Sequence, residues 1–114
     1  MSAAVSIQID FKPLRPVAPV VHRKALCEGW VGAGSVVDEY AYVSVNAEIG
    51  PNCYVGPCTH VDGVLGDGVV LERGVLVGTG VRIGDGAVVR AGSMVFDDVA
   101  PHSVAAGSPA RRIA

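Results

Sequence analysis

The chain predicts an all-β solenoid, a parallel β-helix, and two periodic observations predict it. Aliphatic residues return every six positions at Val31, Val37, Val43, Ile49, Val55 and Val61, and again at Leu65, Leu71, Val77, Ile83, Val89 and Val95. Four residues after each stands a small or β-branched residue, among them Ser35, Ala41, Ala47, Cys53, Thr59, Val69, Val75, Ala87 and Ser93. The position before that small residue reads Gly34, Tyr40, Asn46, Asn52 and Cys58, then Gly68, Gly74, Gly80, Gly86, Gly92 and Asp98. Gly and Asn tolerate positive φ, so the pattern places a left-handed turn once per unit. A six-residue period with a turn in every unit is the mark of a β-helix, in which each coil packs only on its neighbours.

Three segments follow in order. Residues 1–30 precede the clean repeat. Val5, Ile7, Ile9 and Phe11 alternate with polar residues, which predicts a short half-buried strand. Pro13, Pro16 and Pro19 then predict an extended arm, made locally basic by Arg15, His22, Arg23 and Lys24. Residues 31–99 form the solenoid, and at three units per triangular coil they predict roughly four coils. The repeat slips between Val61 and Leu65, where two residues are missing around Asp62-Gly63-Val64. A slip shifts the face of every later side chain unless the backbone bends, so a local irregularity is expected there. Residues 100–114 leave the repeat at Pro101 as a tail containing Gly107, Pro109, Arg111 and Arg112.

Composition agrees with this fold and narrows the function. Half of the 114 residues are hydrophobic but only 5% are aromatic, which suits a narrow core of Val, Ile and Leu. The 15 glycines would each weaken a helix by about 1 kcal/mol, and they fit solenoid corners instead. The formal net charge of −2 shows no basic stripe of the kind nucleic-acid binders carry. No apolar run approaches the ~20 residues of a membrane span, and Met1-Ser2-Ala3-Ala4 does not open a signal peptide; a cytoplasmic protein without a membrane partner is expected. The three cysteines, Cys27, Cys53 and Cys58, lack metal-ligand pairing. Cys53 falls on the small inward position and Cys58 on a corner. Outward apolar residues such as Val36, Val64, Val70, Leu76, Val88 and Met94 would leave flat apolar sides, which predicts a homo-oligomer packed along them.

The second half carries a more specific signal. Leu65-Gly66-Asp67-Gly68-Val69-Val70, the run from Val81 to Val95, and the tail Ala106-Gly107-Ser108-Pro109-Ala110-Arg111 resemble the closing segment of hexapeptide-repeat acyltransferases. The likeness covers roughly residues 31–112 and is similar to the maltose and galactoside, serine, and xenobiotic acetyltransferases. The resemblance implies a left-handed β-helix, a homotrimer, and acyl-CoA, in the form of acetyl-CoA, held in a groove between neighbouring prisms. It further implies a histidine acting as general base on an acceptor hydroxyl or amine, chemistry suited to an imidazole that titrates near neutral pH.

Carried over residue by residue, the resemblance assigns Arg111 to the phosphates of the cosubstrate, where a guanidinium fork fits; Arg112 and Arg73 are further candidates for the same phosphates. The backbone around Ala91, Gly92 and Ser93 would line its pantetheine arm. Arg73 stands where relatives carry Gly or Ser, so its long side chain would either block the pantetheine arm or grip a phosphate, and Phe96-Asp97 stands where relatives often carry Thr-Lys. The long excursion that bears the catalytic histidine in such acetyltransferases is reduced here to His60-Val61-Asp62-Gly63-Val64. His60, the sole histidine of the repeat, is therefore the candidate base. Asp62, two residues on, would share its side of the strand, orient the imidazole and raise its pKa.

His22 and His102 are weaker candidates. The γ-class carbonic anhydrases share the fold and bind zinc through three histidines, but the spacings here do not match, so no metal is expected. Two functions compete with acyl transfer from CoA. One is a non-catalytic trimeric scaffold or binding protein. The other is transfer of a formyl or longer acyl group to a nucleotide-linked sugar, for which the His60/Asp62 pair is the only support.

Overall fold

A computed structural model describes residues 17–114; the alternating segment from Val5 to Phe11, with Pro13, Arg15 and Pro16, lies outside them. The described chain is a stack of two-residue strands, wound as the left-handed β-helix with about five turns rather than four. In chain order the strands are β1 (Val20–Val21), β2 (Leu26–Cys27), β3 (Trp30–Val31), β4 (Val36–Val37), β5 (Tyr42–Val43), β6 (Glu48–Ile49), β7 (Tyr54–Val55) and β8 (His60–Val61). They continue as β9 (Val64–Leu65), β10 (Val70–Leu71), β11 (Leu76–Val77), β12 (Arg82–Ile83), β13 (Val88–Val89), β14 (Met94–Val95), β15 (Val104–Gly107) and β16 (Ala110–Arg112).

Each strand pairs in parallel with the one a coil above and a coil below, so three sheets form the three sides of a prism. The first runs β3-β6-β9-β12, the second β1-β4-β7-β10-β13-β15-β16, and the third β2-β5-β8-β11-β14. Only β16 runs antiparallel, folding the tail back over β15 so that Arg111 faces Ala106 and Arg112 faces Ala105. The ladder thus begins at Val20, ahead of the repeat read from Val31, and reaches past Pro101 through β15.

The hexad explains the core. Val37, Val43, Ile49, Val55, Val61, Leu71, Val77, Val89 and Val95 are fully buried, as are the small residues Ala41, Ala47, Cys53, Val69, Val75 and Ala87. The hydroxyls that enter this interior bridge coils. Ser35 donates to the Gly50 carbonyl and accepts from the Cys53 amide; Thr59 donates to the Glu72 carbonyl and accepts from the Val75 amide. Both of these buried hydroxyls are thereby satisfied. Positive φ occurs at Gly34, Tyr40, Asn52, Cys58, Gly68, Gly74, Gly80, Gly86 and Gly92, the corner positions the repeat marks. Asn46 and Asp98 are not among the positive-φ residues, although the repeat places them in that register.

The slip at Val61–Leu65 resolves simply. Val61 and Leu65 both point inward, because deleting two residues preserves the alternation of faces. The corner shrinks to Asp62-Gly63, and Glu28-Gly29 forms an equally short corner two coils earlier on the same edge. Glycine is required at both. A Cβ on Gly29 would lie 2.4 Å from the Ser44 carbonyl oxygen, and one on Gly63 2.3 Å from that of Val81. The short corner lies so close under the next coil that no side chain fits.

Candidate functional site

His60 opens β8 and points outward from the third sheet, in a column with Leu26, Tyr42, Leu76 and Met94. It is exposed, whereas Val61 beside it is fully buried. Parallel register sets Tyr42 directly next to it, eighteen residues earlier. The two rings meet edge to face, with centroids 4.8 Å apart and planes at 82°. The Tyr42 hydroxyl donates to Glu28 Oε1 at 3.0 Å, and this bond, together with the nearby acidic charge, raises the tyrosine pKa.

Asp62 lies just past the end of the same strand, at the short corner. Its two carboxylate oxygens accept from the Ser44 hydroxyl in the coil below and the Thr79 hydroxyl in the coil above. The Ser44 bond first, then that of Thr79, hold its carboxyl below the usual carboxylate range, with a small further lowering from the charge of His60. Asp62 is therefore near enough to sense His60, but its hydrogen bonds go to hydroxyls. The contact that meets the His60 ring is Tyr42, which the sequence reading did not single out. The signal was available: a spacing of three hexads stacks outward residues of successive coils.

The opposite edge of the third sheet carries the second group of candidates. Here corners stack as Glu39-Tyr40, Pro57-Cys58, Arg73-Gly74 and Ala91-Gly92, tied by Cys58 N–H to Glu39 O, Gly74 N–H to Pro57 O and Gly92 N–H to Arg73 O. Glu39, Tyr40, Pro57, Cys58, Arg73 and Gly74 line a cleft of about 340 Å3. Arg73, Ala91 and Gly92 thus share one edge, and His60 begins the strand just past Cys58-Thr59. Arg90, exposed beside Ala91, adds a cation the sequence reading passed over. The Ala91 amide donates to Glu72 Oε1 at 2.9 Å, so Glu72 holds this part of the corner. Ser93 is buried, and its hydroxyl accepts from the Gly107 amide, fastening the tail rather than facing a groove.

Arg111 and Arg112 are elsewhere. They line an end cavity of about 300 Å3 with Asp97, Asp98, Ser103 and Ala110. The structure brings Arg73 together with Ala91 and Gly92, and Arg111 with Arg112, but it does not gather the two sets around one cavity. Among the described residues no three of His, Cys, Asp and Glu assemble as a metal-binding group.

Comparison with known proteins fits this geometry. Residues 62–97 match the family described as bacterial transferase hexapeptide (six repeats). A hexapeptide-repeat-containing acetyltransferase from Vibrio cholerae superposes with a TM-score of 0.79, covering 85% of this chain and 70% of its own, at 24% identity. Soybean serine acetyltransferase, as the apoenzyme, is 31% identical with a TM-score of 0.67, over 82% of this chain and 42% of its own. The acetyltransferase domain of PglB from Neisseria gonorrhoeae is 20% identical with a TM-score of 0.69, over 86% of this chain and 58% of its own. The chain therefore spans less than half the length of the soybean enzyme. No curated protein matches it in sequence. The resemblance to hexapeptide-repeat acyltransferases holds in both the repeats and the solved folds.

Proposed function

We propose that this chain, built on the repeats of the hexapeptide acyltransferases, transfers an acyl group from acyl-CoA to a small hydroxyl or amino acceptor, with acetyl-CoA as donor and His60 as general base. The observation that carries the reading is His60 itself: the sole histidine of the repeat, exposed on a sheet face one residue past a corner whose edge bears Arg73 and Arg90. Cations along that edge suit a phosphate-bearing donor. The fold likeness to acetyltransferases supports the same class of reaction.

In this scheme His60 takes the proton from the acceptor as its oxygen or nitrogen attacks the thioester carbonyl. The tetrahedral intermediate collapses, the carbon–sulfur bond breaks, and the imidazolium returns the proton to the departing CoA thiolate. Asp62, held ionised by Ser44 and Thr79, keeps a negative charge at the short corner beyond His60. Arg73 and Arg90 would steady the donor, and Ala91 and Gly92 leave room along the corner. Arg111 and Arg112 would meet phosphates only where the end cavity opens beside that donor.

A homotrimer completes the proposal. The second sheet presents Val20, Val36, Tyr54, Val70, Val88 and Val104 outward, an apolar column that a second copy of the chain would cover. Covering apolar area stabilises by ~25 cal/mol per Å2, so a flat column of this kind favours association. The reading also places the protein in the cytoplasm, where acyl-CoA is available.

Calorimetric titration of acetyl-CoA, preceded by light scattering, tests the proposal. Micromolar binding at about one site per subunit, with loss of acetyl transfer in His60→Ala, is expected. A monomeric mass at micromolar concentration would refute the trimer. No binding at millimolar acetyl-CoA would favour the non-catalytic scaffold, a reading that the Glu72 contact on the Ala91 amide supports.

A further inference from the structure

A histidine on a two-residue strand has little to fix its ring. Its χ2 torsion is broad, and the backbone does not choose among the orientations. The neighbours must do so. On one side of His60 stands Leu76, which offers no hydrogen bond. On the other stands Tyr42, edge to face at 4.8 Å. Asp62, the residue the strand pattern would nominate, has both oxygens engaged by Ser44 and Thr79. Tyr42 in turn is fixed at its far end, because its hydroxyl donates to Glu28 one coil down. Glu28, Tyr42 and His60 thus form a line across three successive coils of the third sheet.

We propose that Tyr42, braced by Glu28, is a positioning residue that sets the orientation of the His60 imidazole. The inference rests on the reading of His60 as general base, but its structural half stands independently. Edge-to-face pairs have a preferred geometry, so the phenol ring narrows the swing of the imidazole. The Glu28 hydrogen bond keeps the phenol from rotating away. A base aimed in advance loses less freedom in the transition state, and the effect falls on turnover rather than on donor binding.

The test uses three variants of the full chain. Tyr42→Leu removes the ring, Tyr42→Phe keeps it and loses only the Glu28 bond, and His60→Ala removes the base. Two readouts are taken: steady-state acetyl transfer, and the His60 ring-proton chemical shifts by NMR, which the Tyr42 ring current displaces whether or not the protein turns over. Tyr42→Leu is expected to lower kcat about two- to tenfold with KM for acetyl-CoA unchanged. Tyr42→Phe, which keeps the ring without its brace, should lower kcat by less than Tyr42→Leu does. The His60 ring signals should move in Tyr42→Leu and move by a smaller amount in Tyr42→Phe. Unmoved His60 signals in Tyr42→Leu, or an equal fall of kcat in the Leu and Phe variants, would overturn the positioning role. Undiminished turnover in His60→Ala would instead overturn the base reading, with the ring contact still reported by NMR.

Discussion

Gly63→Ala should destabilise this protein more than an alanine at any open corner. The residue forms half of the two-residue corner that follows His60. A Cβ there would sit 2.3 Å from the Val81 carbonyl oxygen, 3.1 Å from that of Gly78 and 3.1 Å from Val77 Cγ1. The first contact is about 1 Å too short for any real carbon. Relief by moving Val81 is costly, since its carbonyl accepts from the Val64 amide at 2.8 Å. Relief by moving Gly63 strains its own carbonyl, which accepts from the Glu48 amide at 3.1 Å. Losing one such bond and stranding its donor costs about 1–3 kcal/mol, and overpacking where the coils stay together adds about 1–3 kcal/mol.

Gly68→Ala supplies the comparison. Its Cβ would meet nothing within 4 Å, so the only penalty is a φ of +68°, worth about 1–2 kcal/mol. Urea unfolding followed by circular dichroism reads both variants from the shift in midpoint at constant slope. Equal midpoints, or a Gly63→Ala protein as stable as wild type, would show that the short corner is not held against the coil above. The reasoning about the slip would then fail with it.

Three further outcomes follow from the same contacts. Asp38 and Asp62 have lowered pKa values, through hydrogen bonds from Tyr54 and from Ser44 respectively, so their stabilisation is complete above the ordinary carboxylate pKa of about 4. It is lost as pH falls further, and thermal melts should drop on that side. Tyr42 and Tyr54 are raised by their bonds to Glu28 and Asp38, so their contribution is present below pH ~10 and lost as pH rises through the folded values; a melting temperature constant across that upper range would refute it. Among thiols, exposed Cys58 should react with a disulfide reagent in the native state, whereas Cys53, buried and with its pKa raised by desolvation, should react only on unfolding. Fast native labelling of Cys53 would place it outside the core.

The solenoid was legible because its interior repeats. Val37, Val55, Leu71 and Val89 stack in one sheet, and each inward hexad position meets the same environment one coil up and one coil down. Any one of them predicts the rest. The coil count fell short because the ladder includes Val20–Val21 and Leu26–Cys27, where the hexad is broken by the short corner at Glu28-Gly29. Positive φ at Tyr40 and Cys58 shows that corner register outweighs residue preference, while Asn46, on the same register, does not adopt it. Tertiary pairing decided those cases.

The site was harder to read for a physical reason. Outward residues are free of the packing that dictates the core, so their partners follow stacking rather than sequence neighbourhood. His60 and Asp62 lie two residues apart, yet Asp62 is tied to Ser44 and Thr79 in other coils, and His60 meets Tyr42 in the coil below. Arg73 and Ala91 are far apart in sequence and belong to one edge, because Gly92 donates to the Arg73 carbonyl. Arg111, at a similar remove from Ala91 on its other side in the sequence, lines the end cavity instead. In a β-helix, chemistry is therefore assembled along the stacking axis. A spacing of one coil identifies neighbours that a spacing of two residues does not, and on that criterion Tyr42, with Glu28 behind it, belongs to the His60 site as firmly as any residue on its own strand.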